Sequence, residues 1–167
     1  AHSVPKTEAE KQEFYAVNVI GTKNLLKGLE SGSSLPSSFV FISSVSVYGL
    51  SYGSLISEKA SLNARDPYGL SKLQAESEVQ KWCTEHGVRC TILRLPLLMG
   101  IDPPGNLGAM IKGIKKGYYF NIAGGLARKS MTMVDDVAKF IIQASEMGGI
   151  YNLTDGYHPS FIEISKC

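Results

Sequence analysis

The 167-residue sequence has few cysteines, no long apolar run and no excess of either charge. Its three cysteines, Cys83, Cys90 and Cys167, form no close pair and have no histidine at the spacing of a metal site. This pattern favours reduced thiols in a cytoplasmic protein over a disulfide framework or a bound metal. No apolar stretch approaches the ~18 residues of a membrane span. Because 17 basic and 15 acidic residues leave a formal net charge of only +2, the composition indicates neither a nucleic-acid partner nor an acidic one.

What the sequence does contain is a hydrophobic fraction of 44%, enough for a buried core in one domain or one large piece of a domain. Apolar spacing predicts helices over residues 7–31 and 67–87, and compact β-branched runs predict buried strands over 38–43 and 88–95. Helices that alternate with buried strands are typical of a parallel sheet with crossover helices. We therefore predict an α/β fold.

After residue 100 the pattern is looser and richer in turn residues. It predicts a short helix over 106–117, a short strand over 118–125, an amphipathic helix over 133–147 and a last strand over 149–155. No linker separates this part cleanly from the first.

A tyrosine and a lysine stand one helical turn apart in DPYGLSKLQAE, at Tyr68 and Lys72. This spacing arises by chance in about half of chains of such composition, so the pair gains meaning only from its surroundings. The strand over 38–43 delivers Ser43 and Ser44 at its carboxyl end, where ligands bind in an open parallel sheet. The helix that carries Tyr68 starts beside the same edge, so a hydroxyl, a phenol and an ammonium are predicted to converge there.

These three groups suit proton transfer at a hydroxyl-bearing carbon. A free phenol has a pKa of about 10 and is a poor base at neutral pH. We expect the ammonium of Lys72 to lower the pKa of Tyr68 by stabilising the phenolate. Tyr68 could then take a proton from a sugar or alcohol hydroxyl, while Ser44 hydrogen-bonds the developing carbonyl oxygen.

Seven features in order resemble the extended short-chain dehydrogenase/reductase family, and most closely its NAD-dependent nucleotide-sugar epimerase/dehydratase type, which includes 4-ketosugar reductases. They are NVIGTKNLLKGLESG, FVFISSVSVYG, Glu58, DPYGLSKLQAE, LRLPLLMG, DDVAKFI and YNLTDG. The resemblance implies a partial NAD(P)-binding Rossmann-like parallel sheet in residues 1–100. It also implies part of a small substrate-binding α/β region, with returning elements of the Rossmann domain, in residues 101–167.

The resemblance assigns roles to particular residues. The implied catalytic residues are Asn18, Ser44, Tyr68 and Lys72, with Asn18 holding a water-linked proton path to Lys72. The implied contacts to NAD, with NADP as the alternative, come from Ala1, Ser43, Tyr68, Lys72, Leu95 and Pro96.

The resemblance also assigns residues to contacts with the nucleotide-sugar substrate, from shorter matching segments. Val45 and Ser46 stand where dehydratases of the family carry an Asp-Glu pair beside the substrate, so dehydration is not expected. Further implied substrate contacts are Asn106 and Leu107 at the diphosphate, Phe120 and Asn121 at the base, and Arg128 or Lys129 at a phosphate. Asn106 could equally be a turn residue, Arg128 and Lys129 could be merely solvated, and Tyr48 is either a packed aromatic or a substrate contact.

The glycine-rich turn with which the family begins its cofactor half is missing. The glycines before Ser43 are Gly21, Gly28 and Gly32, which fall inside or at the end of a predicted helix. We expect the chain to be a piece of a longer protein, poor at holding a dinucleotide alone and prone to self-association. In the family, helices corresponding to residues 7–31 and 68–86 pair across a two-fold, which implies a homodimer.

The function implied for the parent protein is C4 epimerisation of a UDP-hexose through a 4-keto intermediate with NAD. One alternative is NAD(P)H-dependent reduction of a nucleotide 4-keto sugar. An alternative of another class is a non-catalytic binding or interaction module.

Overall fold

The structure, a computed structural model, describes residues 7–101, 103, 105–120 and 122–166. Two of the predicted site residues, Ala1 and Asn121, lie outside the described residues, as does the side chain of Asn106.

Within these residues the chain forms six α-helices and five strands. They are α1 (Glu8–Tyr15), α2 (Gly21–Glu30), β1 (Ser38–Ser44), α3 (Pro67–His86), β2 (Arg89–Leu95), β3 (Leu97–Met99), α4 (Gly105–Lys115), β4 (Met131–Met133), α5 (Val134–Met147), β5 (Gly149–Asn152) and α6 (Phe161–Ser165). A π-helical segment, Ala16–Ile20, joins α1 to α2. The predicted long helix is therefore confirmed, with one internal irregularity.

The boundaries of α3 follow from local chemistry. Asp66 caps its start by accepting a hydrogen bond from the backbone N–H of Gly69 at 2.9 Å, and Pro67 occupies the first turn. Gly87, with φ of 65°, ends the helix in the left-handed conformation that glycine adopts readily. Although α3 has 20 residues, none of the described helices combines the length and apolar character needed to cross a membrane.

The main sheet confirms the predicted α/β class. Its strands lie in the order β1-β2-β5, and both pairings are parallel. Ser44 lies opposite Leu95, and Arg94 lies opposite Asn152. Because parallel strands end at the same edge of a sheet, the carboxyl ends of β1 and β2 meet there.

Helices cover both faces of this sheet. On one face, β1 contributes Phe39 and Phe41 to a cluster with residues of α2 and α3, including Leu26, Val79 and Trp82. On the other face, β1 and β2 pack against α5 through a second cluster that contains Val40, Ile42, Leu93, Leu95, Val137 and Ala144. Since side chains alternate along a strand, the core consists of two apolar layers around one sheet.

The strand predicted over residues 118–125 is wrong. Residues 118–120 have no regular structure, and Ile122–Gly125 form a 3₁₀ turn. Gly124 and Gly125 have φ values of 69° and 66°, which a β-strand does not accommodate. A second sheet is instead formed by β3 and β4, which pair in parallel. Strands of three residues are too short for an alternating pattern to predict them.

Candidate active site

Ser44 is the last residue of β1 and starts the 3₁₀ turn Val45–Tyr48. Its hydroxyl oxygen accepts a hydrogen bond from the backbone N–H of Ser46 and lies 3.2 Å from the hydroxyl oxygen of Ser46. It also acts on the hydroxyl of Tyr68, whose pKa it lowers. The predicted serine and tyrosine are therefore neighbours at the carboxyl edge of the sheet.

The environment of Tyr68 favours the neutral phenol. Burial raises the pKa of Tyr68, the neighbouring hydroxyl of Ser44 opposes this effect, and the negative charge of Asp66 adds to the rise. The expected lowering of this pKa is therefore wrong for the described structure, because desolvation outweighs the stabilisation of the phenolate.

Lys72 faces β1. Its ammonium donates a hydrogen bond to the carbonyl oxygen of Ile42 at 3.1 Å and lies 5.3 Å from the ring centroid of Phe41. Burial lowers the pKa of Lys72, and the negative charge of Glu76 opposes that effect. The ammonium of the predicted lysine thus packs against β1 and bonds the strand two residues before Ser44.

Asn18 lies in the π-helical segment and is linked to α3 through a residue that the sequence gives no reason to select. Its side-chain amide donates to the hydroxyl oxygen of Ser71 at 3.0 Å, and that hydroxyl donates to the backbone carbonyl of Tyr68 at 2.8 Å. Single π-helical turns are frequent at functional sites. The contacts place Asn18 beside the turn that carries Tyr68 and Lys72.

A glycine allows α3 to approach the 3₁₀ turn this closely. A Cβ at Gly69 would lie 2.7 Å from the carbonyl oxygen of Ser46 and 2.9 Å from a carboxylate oxygen of Asp66. No larger residue fits without a shift of the backbone. Gly69 therefore sets the distance between Tyr68 and Ser44.

The residues predicted to contact the cofactor divide into two groups. Leu95 is buried at the end of β2 beside Ser44, and Pro96 follows it half-buried. The side chain of Ser43 is buried and donates a hydrogen bond to Glu76. Leu95 and Pro96 lie at the edge where a cofactor contact is predicted, whereas the hydroxyl of Ser43 points into the protein.

The residues predicted to contact the substrate are similarly divided. Val45 and Ser46 share the 3₁₀ turn with Ser44. The others lie on separate segments. Leu107 is buried on α4, whereas Phe120 and Lys129 are exposed. Arg128 donates a hydrogen bond to the carbonyl oxygen of His158 at 2.8 Å, and its guanidinium lies 3.4 Å from the carboxylate of Glu163. Arg128 therefore contacts the region of α6.

A buried ion pair behind the site is the main feature that the sequence analysis misses. Arg94 donates two hydrogen bonds to Glu76, at 3.0 and 2.7 Å, and a third to the hydroxyl of Tyr48 at 3.0 Å. The hydroxyl of Tyr48 in turn donates to Asn152 at 2.7 Å, so Tyr48 is a packed and hydrogen-bonded residue. An arginine inside the apolar run of β2 is a signal of a buried charge, but the sequence does not identify its partner.

A parallel α/β sheet with serine, tyrosine and lysine at its carboxyl edge defines a Rossmann-like domain of the short-chain dehydrogenase/reductase type. The model of the NAD dependent epimerase/dehydratase family matches residues 1–154, and the chain belongs to this family.

Three relatives illustrate the likeness. The N-acetyl-alpha-D-glucosaminyl-diphospho-ditrans,octacis-undecaprenol 4-epimerase of Escherichia coli O157:H7 is 33% identical over 132 residues, which cover 77% of this chain and 38% of that protein. The UDP-glucose 4-epimerase of Vibrio cholerae is 25% identical over 177 residues, covering 99% of this chain and 52% of the relative. The structure of RMD from Pseudomonas aeruginosa with NADPH has a TM-score of 0.81 and 26% identity, covering 99% of this chain and 61% of that one. The chain thus spans about half the length of the curated relatives it matches.

Proposed function

We propose that the whole protein is a nucleotide-sugar 4-epimerase that inverts C4 of a UDP-hexose through a 4-keto intermediate. The observation that carries this proposal is the placement of Ser44 beside Tyr68 at the carboxyl edge of the sheet, where α3 approaches the 3₁₀ turn closely at Gly69, with Lys72 one helical turn further along α3. The names of the Escherichia coli and Vibrio cholerae relatives support 4-epimerisation.

The described residues fit the reactive end of a nicotinamide cofactor. One N–H of the Lys72 ammonium bonds the carbonyl of Ile42, and an ammonium has two further donors for ribose hydroxyls. We propose that Lys72, Tyr68, Leu95 and Pro96, with Ala1 and the backbone of Ser43, hold the nicotinamide and its ribose. NAD, with NADP as the alternative, would supply the hydride acceptor and donor for C4. Gly21 and Gly28 lie within α2, so they do not form a phosphate-binding turn.

Proton transfer falls to Tyr68 and Ser44. We propose that Tyr68 as the phenolate takes the proton of the C4 hydroxyl when C4 is oxidised, and that the neutral phenol so formed, which burial favours, returns the proton to the carbonyl oxygen when C4 is reduced. Ser44 stabilises the negative charge that develops on that oxygen by hydrogen bonding. Asn18 holds the first turn of α3 through Ser71, and we propose that it also takes part in the water-linked proton path to Lys72.

The 3₁₀ turn argues against dehydration. Expulsion of water from a sugar needs an acid and a base beyond the tyrosine, whereas this turn offers only the apolar Val45 and the hydroxyl of Ser46. We propose that these two side chains contact the sugar. We also propose contacts to the nucleotide from residues in the second region, 101–167, namely Asn106, Leu107, Phe120, Asn121 and Arg128 or Lys129.

Reduction of a nucleotide 4-keto sugar is the second candidate. It is favoured by the GDP-6-deoxy-D-mannose reductase of Pseudomonas aeruginosa, which is 26% identical over 177 residues that cover 96% of this chain and 57% of the relative.

Incubation of the whole protein with UDP-glucose and UDP-N-acetylglucosamine, without added cofactor, separates the candidates. Formation of the C4 epimer supports the proposal. Turnover of a 4-keto sugar that requires stoichiometric NAD(P)H supports the reductase. If both reactions fail while the sugar nucleotide still binds, a non-catalytic module is supported.

We further propose a cytoplasmic homodimer that pairs through α1, α2 and α3. These helices and the π-helical segment between α1 and α2 leave apolar side chains exposed, namely Tyr15, Val17, Leu25 and Leu70. Exposed apolar surface of this kind favours association. The free thiols of Cys83 and Cys90 support a reducing compartment.

A further inference from the structure

The ion pair between Glu76 and Arg94 is almost completely buried, with 2% of Glu76 and 1% of Arg94 exposed. Both guanidinium-to-carboxylate hydrogen bonds have good lengths, 3.0 and 2.7 Å. Burying such a pair costs desolvation energy, and apolar residues of similar volume often give equal or greater stability. Stability alone is therefore a weak explanation for the pair, and its position in the fold suggests a different one.

The glutamate end contacts the elements that carry the candidate catalytic residues. Glu76 lies one helical turn after Lys72 and two turns after Tyr68 on α3. Its carboxylate accepts a hydrogen bond from the hydroxyl of Ser43, the residue immediately before Ser44. Glu76 therefore connects the end of β1 to the helix face that carries Tyr68 and Lys72.

The arginine end holds the other end of the 3₁₀ turn. Arg94 donates to the hydroxyl of Tyr48 at 3.0 Å, and its guanidinium carbon lies 5.0 Å from the centroid of the Tyr48 ring. Ser44 begins this turn and Tyr48 ends it. The ion pair thus fixes the backbone on both sides of Ser44, through Ser43 before it and Tyr48 after it.

The same hydrogen bonds extend to the loop that leads to Tyr68. Arg94 donates to the carbonyl oxygen of Glu58 at 3.4 Å. Asn152, which accepts from Tyr48, donates its backbone N–H to the carboxylate of Glu58 at 2.8 Å and its side-chain amide to the carbonyl oxygen of Ile56 at 2.9 Å. The segment between the serine and the tyrosine is therefore attached to both β2 and β5.

We propose that Glu76 and Arg94 are positioning residues that hold Ser44 against Tyr68 and Lys72 in the reaction. The pair does not face the substrate, because both side chains are almost completely buried. This proposal rests on the proposed function. Displacement of a catalytic group by about 1 Å can reduce a rate about 100-fold, so loss of the pair is expected to lower kcat much more than it changes KM.

The test separates positioning from stability with Glu76→Gln, Arg94→Met and the double variant, all in the whole protein. Each single variant leaves one buried charge without its partner and lowers Tm. The double variant removes both charges, and Gln keeps an acceptor for Ser43, so its Tm is expected to recover toward that of the wild type. Its kcat, measured well below Tm with the UDP-sugar that the wild type turns over, is expected to stay at least about tenfold low, with KM changed less than about threefold.

A wild-type kcat in the folded double variant overturns the proposal. A decrease in kcat no larger than the fraction of unfolded protein, measured by circular dichroism, also overturns it. The double variant decides the question even if neither single variant folds. Tyr68→Phe is assayed in parallel. If Tyr68→Phe keeps full activity, the proposed function fails; if it is inactive while the double variant is fully active, only the positioning role fails.

Discussion

Replacement of Gly69 by alanine is expected to destabilise the protein even though alanine is the better helix former. The added Cβ would lie 2.7 Å from the carbonyl oxygen of Ser46, which is backbone and cannot rotate away. Ordinary contact needs at least about 0.5 Å more, so α3 and the 3₁₀ turn must separate by about that distance. The separation falls between Tyr68 and Ser44.

The magnitude follows from two opposing terms. Overpacking of this kind costs about 1 to 3 kcal/mol, and the higher helix propensity of alanine returns about 1 kcal/mol. We therefore expect Gly69→Ala to reduce the free energy of unfolding by about 1 kcal/mol. A displacement of about half an ångström between the hydroxyls of Ser44 and Tyr68 is expected to lower kcat by about tenfold or more.

Gly28→Ala is the matched control. Gly28 lies within α2, and a Cβ there would meet nothing within 4 Å. This substitution is expected to raise the free energy of unfolding by about 0.5 to 1 kcal/mol without an effect on kcat. Urea denaturation and steady-state kinetics of the whole protein measure both quantities. If Gly69→Ala stabilises the protein as much as Gly28→Ala and leaves kcat unchanged, the close approach of α3 to the 3₁₀ turn does not require glycine at position 69.

Three further expectations concern stability, reactivity and assembly. Asp66→Ala should lower the free energy of unfolding, measured by urea denaturation, by about 1 kcal/mol, because it removes the N-terminal cap of α3, which accepts from the N–H of Gly69. An unchanged free energy of unfolding would contradict this capping role. Burial raises the pKa of Cys83 to about 12, so at pH 8 only about one thiol in ten thousand is ionised. Peptide mass spectrometry should show Cys83 labelled by a thiol reagent in urea but not in the native protein, and equal labelling would contradict its burial. Light scattering should show that Leu70→Glu converts the dimer to a monomer. The control Ile142→Glu, at a 76% exposed position on α5, should leave the dimer intact. Equal molecular masses for the two variants would contradict the proposed dimer surface.

The positions of Ser44, Tyr68 and Lys72 could be predicted because they depend on topology and local signals. In a parallel sheet, the carboxyl end of a buried strand lies at the same edge as the start of the helix that follows it. Asp66 and Pro67 mark the start of that helix, and the structure has this arrangement. The resemblance of the ordered segments to one family then assigned roles to individual residues. Predicting these three positions did not depend on contacts between residues that are distant in sequence.

The supporting contacts could not be predicted because they join residues far apart in sequence. Nothing in the order of residues shows that Glu76 pairs with Arg94, or that Ser71 connects Asn18 to α3. The direction of Ser43 was open to prediction, since alternation along β1 places it on the same face as Phe41, which packs toward α3. The pKa of Tyr68 could not be predicted, since it depends on how deeply the phenol is buried.

In the proposed epimerisation, Tyr68 transfers the proton to and from the sugar. The most direct test compares Tyr68→Phe with Tyr52→Phe, a control at a position that is 88% exposed, in the whole protein. Interconversion of UDP-sugars is expected to fall at least about 100-fold in Tyr68→Phe and to stay unchanged in Tyr52→Phe. Epimerisation by Tyr68→Phe at the wild-type rate would show that Tyr68 does not transfer the proton.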